Sequence, residues 1–154
     1  MSDSEFLNKL VAFIKKVEGV KLKAYQDQGN IWTIGSGITG KDIVEGLVWT
    51  TDQADNRLEK ELRDFVEFID TKVSIDLTDN EFIAVAAFVF NIGKQGFSTS
   101  TMLKHLVKGD KEKAAGEFKK WNKSTIFYGG KWVKTVNKGL VNRRLAEETL
   151  FRKG

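Results

Sequence analysis

Glu18, Asp27 and Thr33 are the residues of this chain whose types and spacing could do chemistry. Glu18 closes an apolar-periodic segment that reads as a helix, so it sits where unsatisfied backbone carbonyls make the local field negative. A carboxylate is disfavoured there and its pKa is expected to rise. That is a poor choice for stability and a good one for a general acid, which must hold its proton near neutral pH. Asp27 follows nine residues later in a turn, and Thr33 six residues after that on the returning strand. Each alone also has an ordinary reading. Glu18 could be a solvated residue at a frayed helix end, Asp27 a turn former that bonds nearby N–H groups, and Thr33 a β-branched strand residue. Together they offer an acid, a carboxylate and a hydroxyl, which is the set glycoside hydrolysis needs. The acid protonates the leaving oxygen, and the carboxylate activates a water or stabilises positive charge on the sugar. The hydroxyl orients that water.

The elements that must position them follow from apolar periodicity and capping residues. Phe6, Leu7, Leu10, Val11, Phe13, Ile14 and Val17 recur at the helical period, predicting a helix over 4–17 with Gly19 as its stop. Ser2 and Glu5 have capping-box spacing. Residues 23–39 are β-rich and interrupted by glycine, with a turn at Gln28-Gly29-Asn30, which predicts a small hairpin or three-stranded sheet. Thr50 with Gln53 opens a long helix over 51–72, and Thr78 with Glu81 opens the most apolar helix, closed by Gly93. Apolar nearly all round, this second helix should be the buried centre. Short helices at about 99–108 and 110–121, a Gly129-Gly130 turn and a last helix at about 137–152 complete the chain. The order is α+β, with a small N-terminal β-lobe, a larger helical lobe and a cleft between them. One domain over 1–154 is expected, with lobes at about 14–60 and at 1–13 plus 70–154.

Composition narrows the function classes. A chain of 154 residues buries enough surface to fold without disulfides or metal. It has no cysteine and one histidine, His105, which argues against thiolate zinc, multi-His metal sites and Ser-His-Asp catalysis. No apolar run approaches the ~18–20 residues of a membrane span, and the polar, acidic MSDSE start is no secretory signal. The net charge of +4 hides an asymmetry. Residues 1–100 carry 11 Lys/Arg against 16 Asp/Glu, and residues 101–154 carry 14 against 5. The basic third favours a polyanion: nucleic acid, an anionic membrane surface or an anionic cell wall.

The stretch EGVKLKAYQDQGNIWTIGSGIT resembles the signature of phage-type lysozymes (endolysins), glycoside hydrolase family 24. The family pattern is Glu-Gly, a Leu-x-x-Tyr step, an acidic residue nine after the Glu, then Thr-Ile-Gly-x-Gly. Glu18, Asp27 and Thr33 fall on its triad of Glu, Asp (or Cys) and Thr at offsets 0, +9 and +15. Thr51-Asp52-Gln53-Ala54, the Phe90-Asn91-Ile92-Gly93 segment, GEFKKW and GLVNRRLAEETLF extend the similarity over roughly 6–152. Two positions depart: Ser36 stands where many members have an aromatic residue, and Ile38 where many have a His read as structural. The GGKWV stretch is longer than in short members, which is expected to alter the cleft rim.

The resemblance implies a lysozyme-like fold and cofactor-free, inverting hydrolysis of the β-1,4 bond between N-acetylmuramic acid and N-acetylglucosamine in peptidoglycan. Glu18 would be the acid, with Asp27 and Thr33 holding the water across a carboxyl gap of about 6.5–9.5 Å. Phe90, Asn91 and Ser100 fall on family positions that line the cleft. Phe90 reads equally as core. Arg143 and Arg144 read as a solvated helix face, or as neighbours of Glu18 acting indirectly. His105 reads as a surface or half-buried helix residue, and Trp121 and Trp132 as core or rim aromatics. The expected route is accumulation in the host cytoplasm and release with a holin. The enzyme is expected to be a monomer that binds no nucleic acid, with anionic membrane or lipopolysaccharide as further partners of the basic segment. The alternatives are a basic helical nucleic-acid-binding protein, which leaves the triad unexplained, and a catalytically inactive wall-binding module, which its intact triad opposes.

Overall fold

The computed structural model describes residues 3–154, so the Ser2 half of the first expected capping box lies outside the described residues. Helix α1 (Asp3–Glu18) leads into strands β1 (Lys21–Gln26) and β2 (Trp32–Gly35). Helix α2 (Thr51–Lys72) runs on to α3 (Asp79–Ile92). Four short elements follow: α4 (Lys94–Ser98), α5 (Thr101–Val107), α6 (Lys111–Ala115) and a 3₁₀ turn at Phe118–Lys120. Strands β3 (Lys123–Tyr128) and β4 (Lys131–Val136) and helix α7 (Lys138–Lys153) close the chain. The α+β architecture is the one expected.

The two long interior helices begin where their capping boxes place them. Thr50 Oγ1 accepts from the Gln53 N–H at 3.1 Å while Gln53 returns an acceptor to the Thr50 N–H at 2.8 Å. Thr78 and Glu81 repeat the exchange at 3.1 and 2.8 Å. Each box satisfies two donors that the helix itself leaves unpaired. Helix α3 is the centre, as its all-round apolar sequence predicts. Every residue from Ile83 to Val89 is buried, and α1, α2 and α7 pack around it. The Phe88 ring meets Phe118 and Trp121 edge-on, with centroids 5.2 and 5.8 Å apart.

Of the two alternatives for the β-lobe the structure has the hairpin, two antiparallel strands to which Val48 adds a single bridge opposite Lys23. Two features depart from the sequence reading. The segment expected as helices at 99–108 and 110–121 is broken more finely, because Ser100 and Asp110 cap short helices and the chain tightens to 3₁₀ geometry before Trp121. The Gly129-Gly130 turn closes a six-pair antiparallel hairpin, in register from Lys123↔Val136 to Tyr128↔Lys131. Both glycines have positive φ, 62° and 80°, the backbone that two-residue hairpin turns require.

Two outcomes test this account. Phe88→Ala should lower the unfolding free energy by roughly 3–5 kcal/mol in urea denaturation, as expected for a fully buried ring. Glu81 supplies a pH test. Burial alone would raise its carboxyl, but the Lys111 ammonium at 2.9 Å and the Thr78 N–H outweigh burial and hold it below the ordinary carboxylate value. A depressed folded pKa contributes stability above the unfolded value of about 4.3. That stability is lost as pH falls through the folded value. Glu81→Gln keeps the cap acceptor without the charge. Wild type should exceed it by on the order of 1 kcal/mol near neutral pH, and the two should converge in acid.

Candidate active site

Helix α1 ends at Glu18 because Gly19 adopts a φ of 73° and donates its N–H to Lys15 O at 2.8 Å. The next carbonyl is satisfied from the β-lobe, since Ser36 Oγ donates to Gly19 O at 2.7 Å. Ser36 is buried, so the hydroxyl that replaces the family's aromatic residue ties the lobe to the helix end. Gly37, with a φ of 84°, lies against the acid. A Cβ there would stand 3.5 Å from Glu18 Cδ. Ile38, in place of the family's structural His, is buried and pairs with Ile34 through two backbone hydrogen bonds of 2.9 Å. It fills the lobe with apolar packing.

The turn between β1 and β2 fixes Asp27. Its Oδ1 accepts from the Gly29 and Ile31 N–H groups at 2.8 and 2.9 Å. Its Oδ2 makes no protein hydrogen bond among the described residues. Thr33 pairs with Tyr25 across the two strands. The buried Thr33 hydroxyl donates to Ile31 O at 2.9 Å, which leaves its oxygen free to accept. Burial and the nearby Asp27 carboxylate push the Tyr25 phenol up from its ordinary value.

These groups open into one cleft with two arms. One arm, about 340 Å³, is lined by Glu18, Tyr25, Asp27, Thr33, Phe90 and Asn91, among others. The other, about 480 Å³, is lined by Glu18, Asp27, Asn91, Ser124, Asn137 and Arg143, among others. Glu18, Asp27 and Asn91 border both arms. Phe90 is half-buried, with its ring edge-on to Phe65 at 5.4 Å, so it is both cleft wall and packing. Ser100 lies elsewhere. It is buried, caps α5 by accepting from the Leu103 N–H at 3.1 Å and donates to Phe97 O at 2.7 Å. The expected sugar contact at Ser100 is therefore replaced by a helix cap. Tyr25, the tyrosine of the Leu-x-x-Tyr step, lines the cleft, as do Thr39, Ser124, Thr125 and Asn137, which were not singled out from sequence.

Of the two sequence readings of Arg143 and Arg144, the solvated face is overturned, because both are buried; the place beside Glu18 holds for Arg143, which meets the acid directly and not at a distance. They are 4% and 1% exposed, and Glu147 beside them is fully buried. Arg143 pairs directly with Glu18 Oε1, donates from Nε to Glu147 Oε2 at 3.1 Å and from Nη2 to Ala87 O at 2.8 Å. Arg144 donates to Asn91 Oδ1 at 2.6 Å. Its Nε also lies 3.0 Å from Glu147 Oε1, an ion pair whose geometry falls short of a hydrogen bond. Burial lowers both arginines from their ordinary value, Arg144 to about 10, and raises Glu147. For each of the three groups burial is the first influence on ionisation, with the neighbouring opposite charge acting against it.

A small β-lobe facing a helical bundle, with an acid at the first helix's end and a carboxylate and hydroxyl across a shared cleft, defines a lysozyme-type glycoside hydrolase. Comparison with known proteins agrees. Residues 15–147 match the phage lysozyme family model, and the chain belongs to that family. It is 40% identical over 141 residues to the endolysin of Acyrthosiphon pisum secondary endosymbiont phage 1, covering 92% of this chain and 93% of the relative. It is 38% identical to the endolysin of Bacillus phage PZA, covering 94% of this chain and about half of that longer protein, 54%. Among solved structures it resembles the muramidase domain of SpmX from Asticaccaulis excentricus at a TM-score of 0.81 and 33% identity, covering 93% of this chain and 94% of that one. The endolysin from Escherichia coli O157:H7 phage FAHEc1 gives the same TM-score and identity, covering 93% of this chain and 90% of that one.

The buried cluster generates a stability test. Glu147→Ala leaves two guanidinium groups buried without their shared carboxylate and should cost about 3–5 kcal/mol. In urea denaturation, a double-mutant cycle with Arg143→Met should show a coupling well outside additivity.

Proposed function

We propose that this enzyme cleaves the β-1,4 bond between N-acetylmuramic acid and N-acetylglucosamine of peptidoglycan with inversion, as the lytic enzyme of a phage. The observation that carries this reading is that Glu18 and Asp27 border the same two cleft arms while Thr33 keeps a free acceptor oxygen beside them. Glu18 protonates the glycosidic oxygen. Arg143 holds Oε1, which leaves Oε2 to carry the proton, and the Glu147 carboxylate 3.1 Å from Arg143 Nε offsets part of the guanidinium charge. Asp27 Oδ2 accepts a proton from the attacking water, and the Thr33 oxygen accepts its second hydrogen, so the water is aimed at the far side of the sugar. A carboxyl separation of about 6.5–9.5 Å would leave room for that water. Asn91, whose amide oxygen is taken by Arg144, offers its NH₂ to the sugar, and the edge of Phe90 flanks the ring.

No helix among the described residues is long and apolar enough to cross a membrane. The same reading includes accumulation in the host cytoplasm, release with a holin, and action as a monomer on a wall whose anionic groups attract the basic C-terminal third. Two measurements test the reading. Glu18→Gln should slow lysis of outer-membrane-permeabilised Gram-negative cells by about 10²–10⁴-fold, the usual loss for a general acid. Nuclear magnetic resonance of the first-formed reducing ends should show the α-anomer. A β-anomer as first product would sink the inverting mechanism, and undiminished lysis by Glu18→Gln would sink the assignment of the acid.

A further inference from the structure

The β3–β4 hairpin carries apolar surface that the cleft does not use. Phe127 and Trp132 are 61% and 60% exposed, and their rings meet edge-on at 5.3 Å. The register places them directly opposite one another; Ile126↔Val133 is the neighbouring pair toward the hairpin base, and Thr125↔Lys134 the one after it. Side chains alternate between the two faces of a hairpin, and directly opposed residues share a face. Thr125, Lys134, Phe127 and Trp132 therefore lie on one face. Thr125 also lines the larger cleft arm with Glu18 and Asp27. The aromatic pair thus continues a wall of the cleft outward, with an ammonium group between it and the cleft.

We propose that this face of the hairpin is a second binding surface for the same polymer, gripping the glycan strand beyond the bond being cut. Phe127 and Trp132 stack on sugar rings, and Lys134 pairs with carboxylates of the peptide stems. The proposal rests on the reading of the cleft as a peptidoglycan site. Continuity with the cleft selects this occupant over an anionic bilayer. Exposed aromatic anchors at a polar, lysine-bearing rim are a common arrangement for such contacts.

The test uses the full chain carrying Glu18→Gln, so that the wall is bound without being consumed. In co-sedimentation with purified sacculi, adding Phe127→Ala and Trp132→Ala together should weaken binding about tenfold, as loss of an aromatic anchor does. Tyr128→Ala, on the opposite face, should leave binding unchanged. Lys134→Gln should make binding less sensitive to salt. Unchanged sacculus binding by the double variant would overturn the proposal. So would equal weakening by Tyr128→Ala, or a loss confined to vesicles of anionic phospholipid. Full lytic activity of Glu18→Gln in an otherwise unaltered chain would instead sink the catalytic reading and leave the sacculus comparison standing.

Discussion

The guanidinium of Arg143 meets three elements at once. It holds the Glu18 carboxylate at the end of α1, the Ala87 carbonyl on α3 and the Glu147 carboxylate on its own helix α7. Glu18 stands where the negative end of α1 would repel a carboxylate, and Arg143 supplies the charge that keeps it in place. The position of the acid is therefore a tertiary property, fixed by the packing of α7 on α3. Arg144 extends the same arrangement to Asn91. Two of the three groups that border both cleft arms are in this way held from one buried turn of α7.

The carboxylate partner is positioned by a different principle. Asp27 is held by N–H groups two and four residues away, and Thr33 by a carbonyl two residues away. The hairpin needs little help to shape its own turn. What it needs is attachment, and the link to α1 runs through Ser36 and Gly37. Ser36 caps a free carbonyl of the helix end, and Gly37, at a φ of 84° that favours glycine, brings the backbone up to the Glu18 carboxyl. The acid is thus set by long-range ion pairing and its partner by local turn chemistry, joined at a contact of a few ångströms.

This difference explains what could be read from sequence. Boundaries governed by local rules were legible: Thr50-Gln53, Thr78-Glu81, Gly19 and Gly93 each mark an end where the structure has one. The grouping of Glu18, Asp27 and Thr33 was legible because a short connection forces a helix end and the next hairpin together. The burial of Arg143 and Arg144 was not. Arg143 is 125 residues from Glu18 in the chain, and adjacent arginines on a helix ordinarily face water. The one available signal was spacing, because Glu147 follows them by four and three residues, as an ion-pairing helix face requires. The β3–β4 hairpin did carry its signal. Alternation in KSTIFY and KWVKTV around Gly-Gly is a hairpin pattern, weakened by lysines that fit an exposed helix equally well. Ser100 misled for a different reason: a serine three residues before an amide N–H is as good a cap as it is a sugar contact.

The charge asymmetry takes on a definite meaning once the cluster is in view. Two of the cations of the basic C-terminal third, Arg143 and Arg144, are internal and engaged with Glu18, Asn91 and Glu147. They contribute little to the outer field. The charge that a polyanion meets comes instead from lysines, among them Lys123, Lys131 and Lys134 on the hairpin and Lys138 at the start of α7. These flank the wall that Ser124, Thr125 and Asn137 present to the larger cleft arm, opposite the acidic body that contributes Asp27. A screened field of this kind acts within about 10 Å at ordinary salt. It can draw an anionic strand toward the rim without reversing the local chemistry around Glu18. The same segment therefore holds two kinds of cation, buried arginines engaged with Glu18, Asn91 and Glu147 and exposed lysines that set the outer field, and burial keeps the two apart.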